Sequence, residues 1–239
     1  MIENINGLNC ILLDKITNNS QFEIGFSDIV RNNINSDNSM TMKGKNQKNS
    51  NNFKYQEIPV NDALSSINYQ QTNNEMIICI YGPKEAKFRS KIKNEECFVE
   101  SYIKFSFDFA KDKQRYFNSL IKNFCESLIF VDNYPRCQIN IVINVLKVES
   151  DISMKVALYN GIMLALSLSG IDLKVLALTT SEDNVLITFD ANNLENILSL
   201  ESEDPMSIEK YEMILKSATE EIVDMTKKFK MSLVKKLLE

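Results

Sequence analysis

The chain is 239 residues long, 44% hydrophobic and 25% charged, with 27 Lys and Arg against 32 Asp and Glu and a net charge of −5. That length supports one substantial core, or two small lobes sharing one, and the near-average composition excludes a wholly disordered, collagenous or coiled-coil protein. The acidic balance argues against coating nucleic acid by bulk charge, but leaves room for a local basic track.

Histidine is absent, which removes Ser-His-Asp and Cys-His catalysis, histidine zinc ligation and any imidazole general base. Tryptophan is absent too. Cys10, Cys79, Cys97, Cys125 and Cys137 are odd in number, widely spaced and form no CxxC pair. Neither a zinc site nor a disulfide framework follows, and they read as reduced thiols of an intracellular protein, mostly acting as small core hydrophobes. The opening MIENINGLNC lacks the basic start and apolar run of a signal peptide. The stretch Val156 to Leu168 is broken by Tyr159 and Asn160 and is too short and polar to span a bilayer. A soluble protein with no membrane partner is expected.

Along the chain, Leu8 to Leu13 and Gln21 to Phe26 read as short strands joined by the turn Thr17-Asn18-Asn19-Ser20. From about Arg31 to Asn74 the residues are mainly Asn, Ser, Gln and Lys. Such a segment cannot bury enough apolar surface to offset its ordering entropy. It reads as a disordered insertion in a single domain over residues 1–239, with a recruited binding segment at Phe53 to Leu64 as the other reading. Order returns with MIICIYGP, a buried strand expected to end at Gly82-Pro83. Cys97 to Phe109 alternates, with Val99, Ile103, Phe105, Phe107 and Phe109 on one face, as in a half-buried strand. Asp112 to Phe130 carries Phe117, Leu120, Ile121, Phe124 and Leu128 at helical spacing.

Gln138 to Val148 is apolar on nearly both faces, as in a central strand. Asp151 or Ser153 can cap the next helix and Gly170 can close it. That helix is apolar almost all round and should be the buried centre of the fold. Leu173 to Thr180 and Val185 to Asp190 form a hairpin over Glu182-Asp183-Asn184, and Asn196 to Leu200 adds an edge strand. A long helix follows, capped by Asp204 or Ser207, with Pro205 in its first turn. Its expected stripe is Ile208, Tyr211, Leu215, Ala218, Ile222, Met225 and Phe229, and five lysines crowd its end. The order of elements defines an α+β fold with no glycine-rich βαβ signature.

The run ICIYGPKEAKFRSK resembles the YGP-x-E signature of RNase PH-like proteins. LIKNFCESLIF, YPRCQINIVINVLKVESD and LALSLSGIDLK extend the resemblance in the family's own order over most of Met76 to Leu178. Within that family the chain is most similar to the small, catalytically degenerate ring subunits of the eukaryotic RNA exosome. The resemblance implies an RNase PH-like fold: mixed sheets around a buried central helix, with a long C-terminal helix.

The resemblance also sets a test of the chemistry. Active relatives cleave the terminal RNA linkage with inorganic phosphate, so they must hold phosphate and stabilise the leaving oxygen. Their helix carries a Gly-Arg-Ser-Leu-Arg phrase. The matching positions here are Lys122, Asn123, Phe124, Cys125 and Glu126, so both arginines are lost and one is replaced by an acid. Their Asp-Gly-Gly-Thr-Arg turn is matched by Ser150-Asp151-Ile152-Ser153-Met154-Lys155: the glycines are gone, and Lys155 keeps one charge without bidentate geometry. Asp190 matches the start of a third, acidic phrase that is not continued. Glu201, Glu203 and Asp204 read as first-turn acids of the last helix.

The expectation is a non-catalytic, cofactor-free ring subunit in the nucleus, nucleolus and cytoplasm. Its implied partners are other RNase PH-like subunits, RNA-binding cap subunits and single-stranded RNA, in 3'-to-5' processing and degradation that includes rRNA. The alternative is an active phosphate-dependent 3'-to-5' exoribonuclease. One basic feature survives: Lys84, Lys87, Arg89 and Lys91, followed by Lys93. These residues read either as a solvated edge strand that blocks pairing or as an RNA-contacting loop.

Overall fold

Alternation in burial explains the first sheet. In this computed structural model, which describes residues 53–86, 93–106, 111–202 and 205–238, all described residues belong to the second of two units, Met1–Lys48 and Asn49–Glu239. Strands β1 (Phe53–Glu57), β2 (Ser65–Gln71), β3 (Asn74–Glu85), β4 (Phe98–Phe105) and β5 (Cys137–Lys147) form one sheet in the order β1-β2-β3-β5-β4. Only β4 and β5 pair in parallel. Ile67 and Tyr69, Met76, Ile78 and Ile80, Val99 and Ile103, and Ile139, Ile141 and Ile143 are buried on its inner face.

Two expectations need correction. The Asn-rich segment does not run to Asn74 as an insertion, because β1, β2 and their turn lie inside it. Its amides alternate with Phe53, Tyr55, Ile67 and Tyr69, so an averaged composition hid two half-apolar strands. Nor does Gly82-Pro83 end the strand. At a bulge there, Gly82 takes φ 90° and β3 continues to Glu85. A Cβ on Gly82 would lie 2.3 Å from the Gln138 carbonyl oxygen. The strands expected at Leu8–Leu13 and Gln21–Phe26, and residues 31–52, lie outside the described residues.

Helix α1 (Lys111–Leu128) packs on β4, with the Phe105 and Phe117 rings 6.2 Å apart. It also closes the free edge of β4: the Ile103 N–H donates to Asn118 Oδ1 and the Gln114 amide donates to the Ile103 carbonyl. Helix α2 (Asp151–Ser169) is the expected central helix, buried from Met154 to Leu166 except at Lys155. It is long and apolar enough to cross a membrane, and longer than the sequence suggested. Yet it packs on β2 and β3 of one sheet and β6 of the other, as a core helix does. Its cap is Ser150 rather than Asp151 or Ser153. Ser150 and Ser153 exchange side-chain and backbone bonds in a capping box, and Gly170 closes the helix in the left-handed region.

The second sheet, β6 (Ala177–Glu182), β7 (Val185–Asp190) and β8 (Asn193–Ser202), is antiparallel. Helix α3 (Ile208–Leu238) follows, with Ser207 accepting the Lys210 N–H and Pro205 preceding the first turn. Its buried stripe is Ile214, Ala218, Ile222, Met225, Phe229 and Leu233, while Ile208 is 77% exposed. The expected stripe thus began a turn and a half too early. Its mid and C-terminal turns meet β6 and Phe53 of β1.

Gly161 sets the spacing between α2 and the first sheet. A Cβ there would lie 2.7 Å from Ile78 Cδ1 and 3.0 Å from the Tyr69 ring. Gly161→Val is therefore expected to lower stability by about 1–3 kcal/mol in urea unfolding, despite valine's better helix propensity. An unchanged midpoint would show that the two elements have slack.

Candidate functional site

Of the helix positions that the resemblance assigns to phosphate binding, Phe124 of α1 and Lys155 of α2 come to the junction of α1, α2 and the end of β8. On α1, Asn123 faces solvent, Cys125 is buried, and Glu126 pairs with Lys122 at 3.9 Å. Phe124 turns inward and lies 4.3 Å, ring centroid to centroid, from Tyr159 of α2. Val156, Tyr159 and Leu186 form a small buried cluster, and Leu120 and Phe124 pack both against it and against the main core. Tyr159, one of the residues that sequence reasoning did not single out for the site, is the centre of this cluster. Its only signal was an aromatic ring one helical turn after Lys155.

Beside this cluster, Lys155 Nζ donates to Glu201 Oε2 at 3.0 Å, and the Tyr159 hydroxyl donates to Glu201 Oε1 at 3.3 Å. Lys155 Nζ also stands 5.7 Å from the centre of the Tyr116 ring. Glu201 is therefore not a first-turn acid of the last helix. It lies on β8 and carries the counter-charge for Lys155. Burial pulls the Lys155 ammonium pKa down, but the bonds to Glu201 and Tyr116 outweigh it and leave the pKa above the ordinary lysine value. Burial, then the Glu201 charge, raises the Tyr159 phenol well out of the physiological range.

The turn before α2 is likewise occupied by its own bonds. Ser150 Oγ accepts the Ser153 N–H at 3.2 Å, and Asn74 bonds both the Glu149 N–H and Ser153 Oγ. Asp190 joins none of this. It is buried, its Oδ1 accepts the Asn192 N–H, and its charge acts on Lys230 of α3, whose pKa burial lowers. Glu203 and Asp204 lie outside the described residues.

Of the basic residues after YGP, Lys84 is exposed on β3 with Nζ 5.8 Å from the Tyr81 ring. Lys87, Arg89 and Lys91 lie outside the described residues, and Lys93 pairs with Glu96 at 2.9 Å. Cys79, Cys97, Cys125 and Cys137 are free thiols, and burial raises the Cys97 thiol to about 11. Among the described residues no three carboxylates or thiols are grouped so as to hold a metal ion.

The fold and the order of these elements are those of an RNase PH-like domain. The sequence pattern of the 3' exoribonuclease family, domain 1 (RNase PH), matches residues 53–172, half of the chain, and the protein belongs to this family. It is 27% identical over 124 residues to a putative exosome complex component RRP41 of Caenorhabditis briggsae, 48% of this chain, and spans about half (51%) of that curated relative's length. Its fold is similar to that of rice (Oryza sativa) Rrp46, with 17% identity and TM-score 0.66 over 80% of this chain and 98% of that one. The Archaeoglobus fulgidus exosome with RNA bound to its active site matches at 8% identity and TM-score 0.58, over 74% and 88% of the two chains. An archaeal exosome core matches at 8% identity and TM-score 0.54, over 75% and 86%.

The Lys155 pair has a pH signature. A lysine whose folded-state pKa is raised contributes stability that is complete below its unfolded pKa and is lost as pH rises through the folded value. The melting-temperature difference between the parent and Glu201→Gln should be flat between about pH 7 and 9 and should shrink above about pH 10.4, the ordinary lysine value. A difference that holds constant through the lysine range would exclude the ion pair as its source.

Proposed function

We propose that this chain is a non-catalytic structural subunit of the RNA exosome core ring, of the kind numbered forty-six, that supports 3'-to-5' RNA processing and degradation. One observation supports the reading: of the positions matched to the phosphate-binding phrases, Phe124 packs on Tyr159 and Lys155 is paired with Glu201. A phosphate would have to displace a carboxylate from that cation and enter beside Glu126, with no arginine fork to receive it. The likeness to exosome components supports ring neighbours and RNA as partners; RNA-binding cap subunits, and the nucleus, nucleolus and cytoplasm as locations, belong to the proposal itself. Strand β8 suits a neighbour as well, since it is an edge strand among the described residues with Leu198 and Leu200 38% and 41% exposed.

Purified protein is expected to show no phosphate-dependent shortening of single-stranded RNA above background. Asn123→Arg with Glu126→Arg should not restore it, because the aromatic filling and the Lys155–Glu201 pair remain. Robust shortening by the unaltered protein would replace this reading with an active phosphorolytic exoribonuclease. Affinity purification should recover other RNase PH-like ring subunits, and their absence would make the chain a free-standing member.

If the basic loop guides RNA, changing Lys87, Arg89 and Lys91 to Ala should weaken RNA entry into the assembled ring equally for unrelated sequences. Each lost phosphate contact should reduce the log–log salt slope by about 0.7. Unchanged affinity and slope would reduce these residues to edge-strand solvation.

A further inference from the structure

Two of the free thiols stand side by side at the start of the β4–β5 ladder. The strands pair in parallel and in step, Phe98 with Gln138 and Val99 with Ile139, so Cys97 comes beside Cys137 one residue earlier. Alternation places both on the inner face, because Val99 and Ile139, two residues on, are buried there. The surroundings of Cys97 agree with this placement. Burial first, then the nearby Cys137 charge, raise its pKa, while the Ile139 backbone N–H that bonds its sulfur acts against them. Cys97 is wholly buried, whereas Cys137 is partly exposed.

Neighbouring strands lie about 4.8 Å apart, within the roughly 4.4–6.8 Å that a disulfide spans between Cα atoms. The other two described thiols are placed elsewhere. Cys79 belongs to the outer face, paired across the ladder with Ser66 and Val142, and its sulfur lies 3.3 Å from Ser66 Oγ. Cys125 is enclosed on α1, where burial pushes its thiol pKa far up.

We propose that Cys97 and Cys137 form a reversible, peroxide-dependent disulfide that ties the start of the edge strand β4 to β5. The proposal stands apart from the ring reading, since neither thiol is among the positions matched to phosphate binding. The partly exposed Cys137 sulfur attacks one oxygen of hydrogen peroxide, the O–O bond breaks, and Cys137 becomes a sulfenic acid with release of one water. Cys97 then gives up its proton, its sulfur attacks the Cys137 sulfur, and the S–O bond breaks to release a second water. Two thiols have lost two electrons and two protons, and the peroxide has become two waters. With its pKa raised to about 11, Cys97 stays a thiol until a sulfenic acid stands beside it, so it resolves the oxidation rather than starting it. A dithiol reductant reverses the bond by exchange at the accessible Cys137 sulfur. While formed, the bond closes a loop of about 40 residues that contains α1, which restricts the unfolded chain.

The test uses the full chain, reduced, desalted and treated with a small excess of hydrogen peroxide. The intact mass should fall by two hydrogens, and a tryptic digest without reductant should contain Asn94–Lys104 linked to Cys137–Lys147. Dithiothreitol should return the two separate peptides. Cys137→Ser and Cys97→Ala should each abolish the linked pair, while Cys79→Ser should leave it intact. Circular dichroism melts show which variants fold; if Cys97→Ala does not, Cys137→Ser at the partly exposed site carries the comparison. The oxidised parent should melt about 5 °C or more above the reduced parent, and dithiothreitol should remove the gain. An equal or lower melting temperature would show that the bond does not fit the folded sheet and would end the proposal. Links through Cys10, Cys79 or Cys125, a bond between two copies through Cys137, or a Cys137 sulfinic acid beside a free Cys97 would each overturn it as well.

Discussion

Two adjacent residues in the middle of α2 hold the two sheets in register. Asn160 is 1% exposed, and its amide donates to the Thr179 carbonyl and to Gln71 Oε1 while accepting the Thr179 N–H. One side chain thus satisfies the edge of β6 and reaches the end of β2, where Tyr69 also donates to Gln71. A buried amide of this kind costs free energy wherever its partners are missing, so only one placement of helix between sheets satisfies it. Gly161 permits that placement, because the helix backbone comes close to Ile78 and Tyr69. The surrounding core, from Ile67 to Phe229, packs around this fixed distance.

The same rigidity decides what the candidate site can do. Tyr159 is one residue before Asn160, so its ring is carried to a fixed point against Phe124. Lys155, one turn earlier, is carried to the end of β8, where Glu201 meets it. The capping box at Ser150 and Ser153, braced by Asn74, uses the Ser150 and Ser153 N–H groups, two of the donors at the helix start. An aromatic filling, an internal counter-ion and a self-capped helix together make this junction part of the packing.

The inner face of the first sheet is committed to the core. The free edge of β4 is closed by Asn118 and Gln114 of α1, so that side of the sheet does not invite another strand. Its alternation leaves aromatic rings, amides and lysines outward in rows fixed by backbone pairing rather than by loop conformation.

Much of the fold was written in local pattern. The apolar run of α2, its Gly170 close, the alternation of β4 and the two-faced apolarity of β5 each follow from residue spacing, which the backbone periods enforce. The losses at Asn123 and Glu126, and of the glycines before Lys155, came instead from the family resemblance, since no local period marks them. Other features were not readable. The strands β1 and β2 were hidden because half of a two-faced strand is meant to be polar, and averaging made the segment look unable to fold. The start of the buried stripe on α3 depended on where the second sheet begins to cover it, which Ile208 alone does not reveal. Above all, Glu201 read as a helix-start acid, because sequence distance puts it near α3. Tertiary structure decided that it stands 46 positions from its partner Lys155 and closes that charge, since pairing across β7 and β8 sets a neighbourhood that no local period encodes.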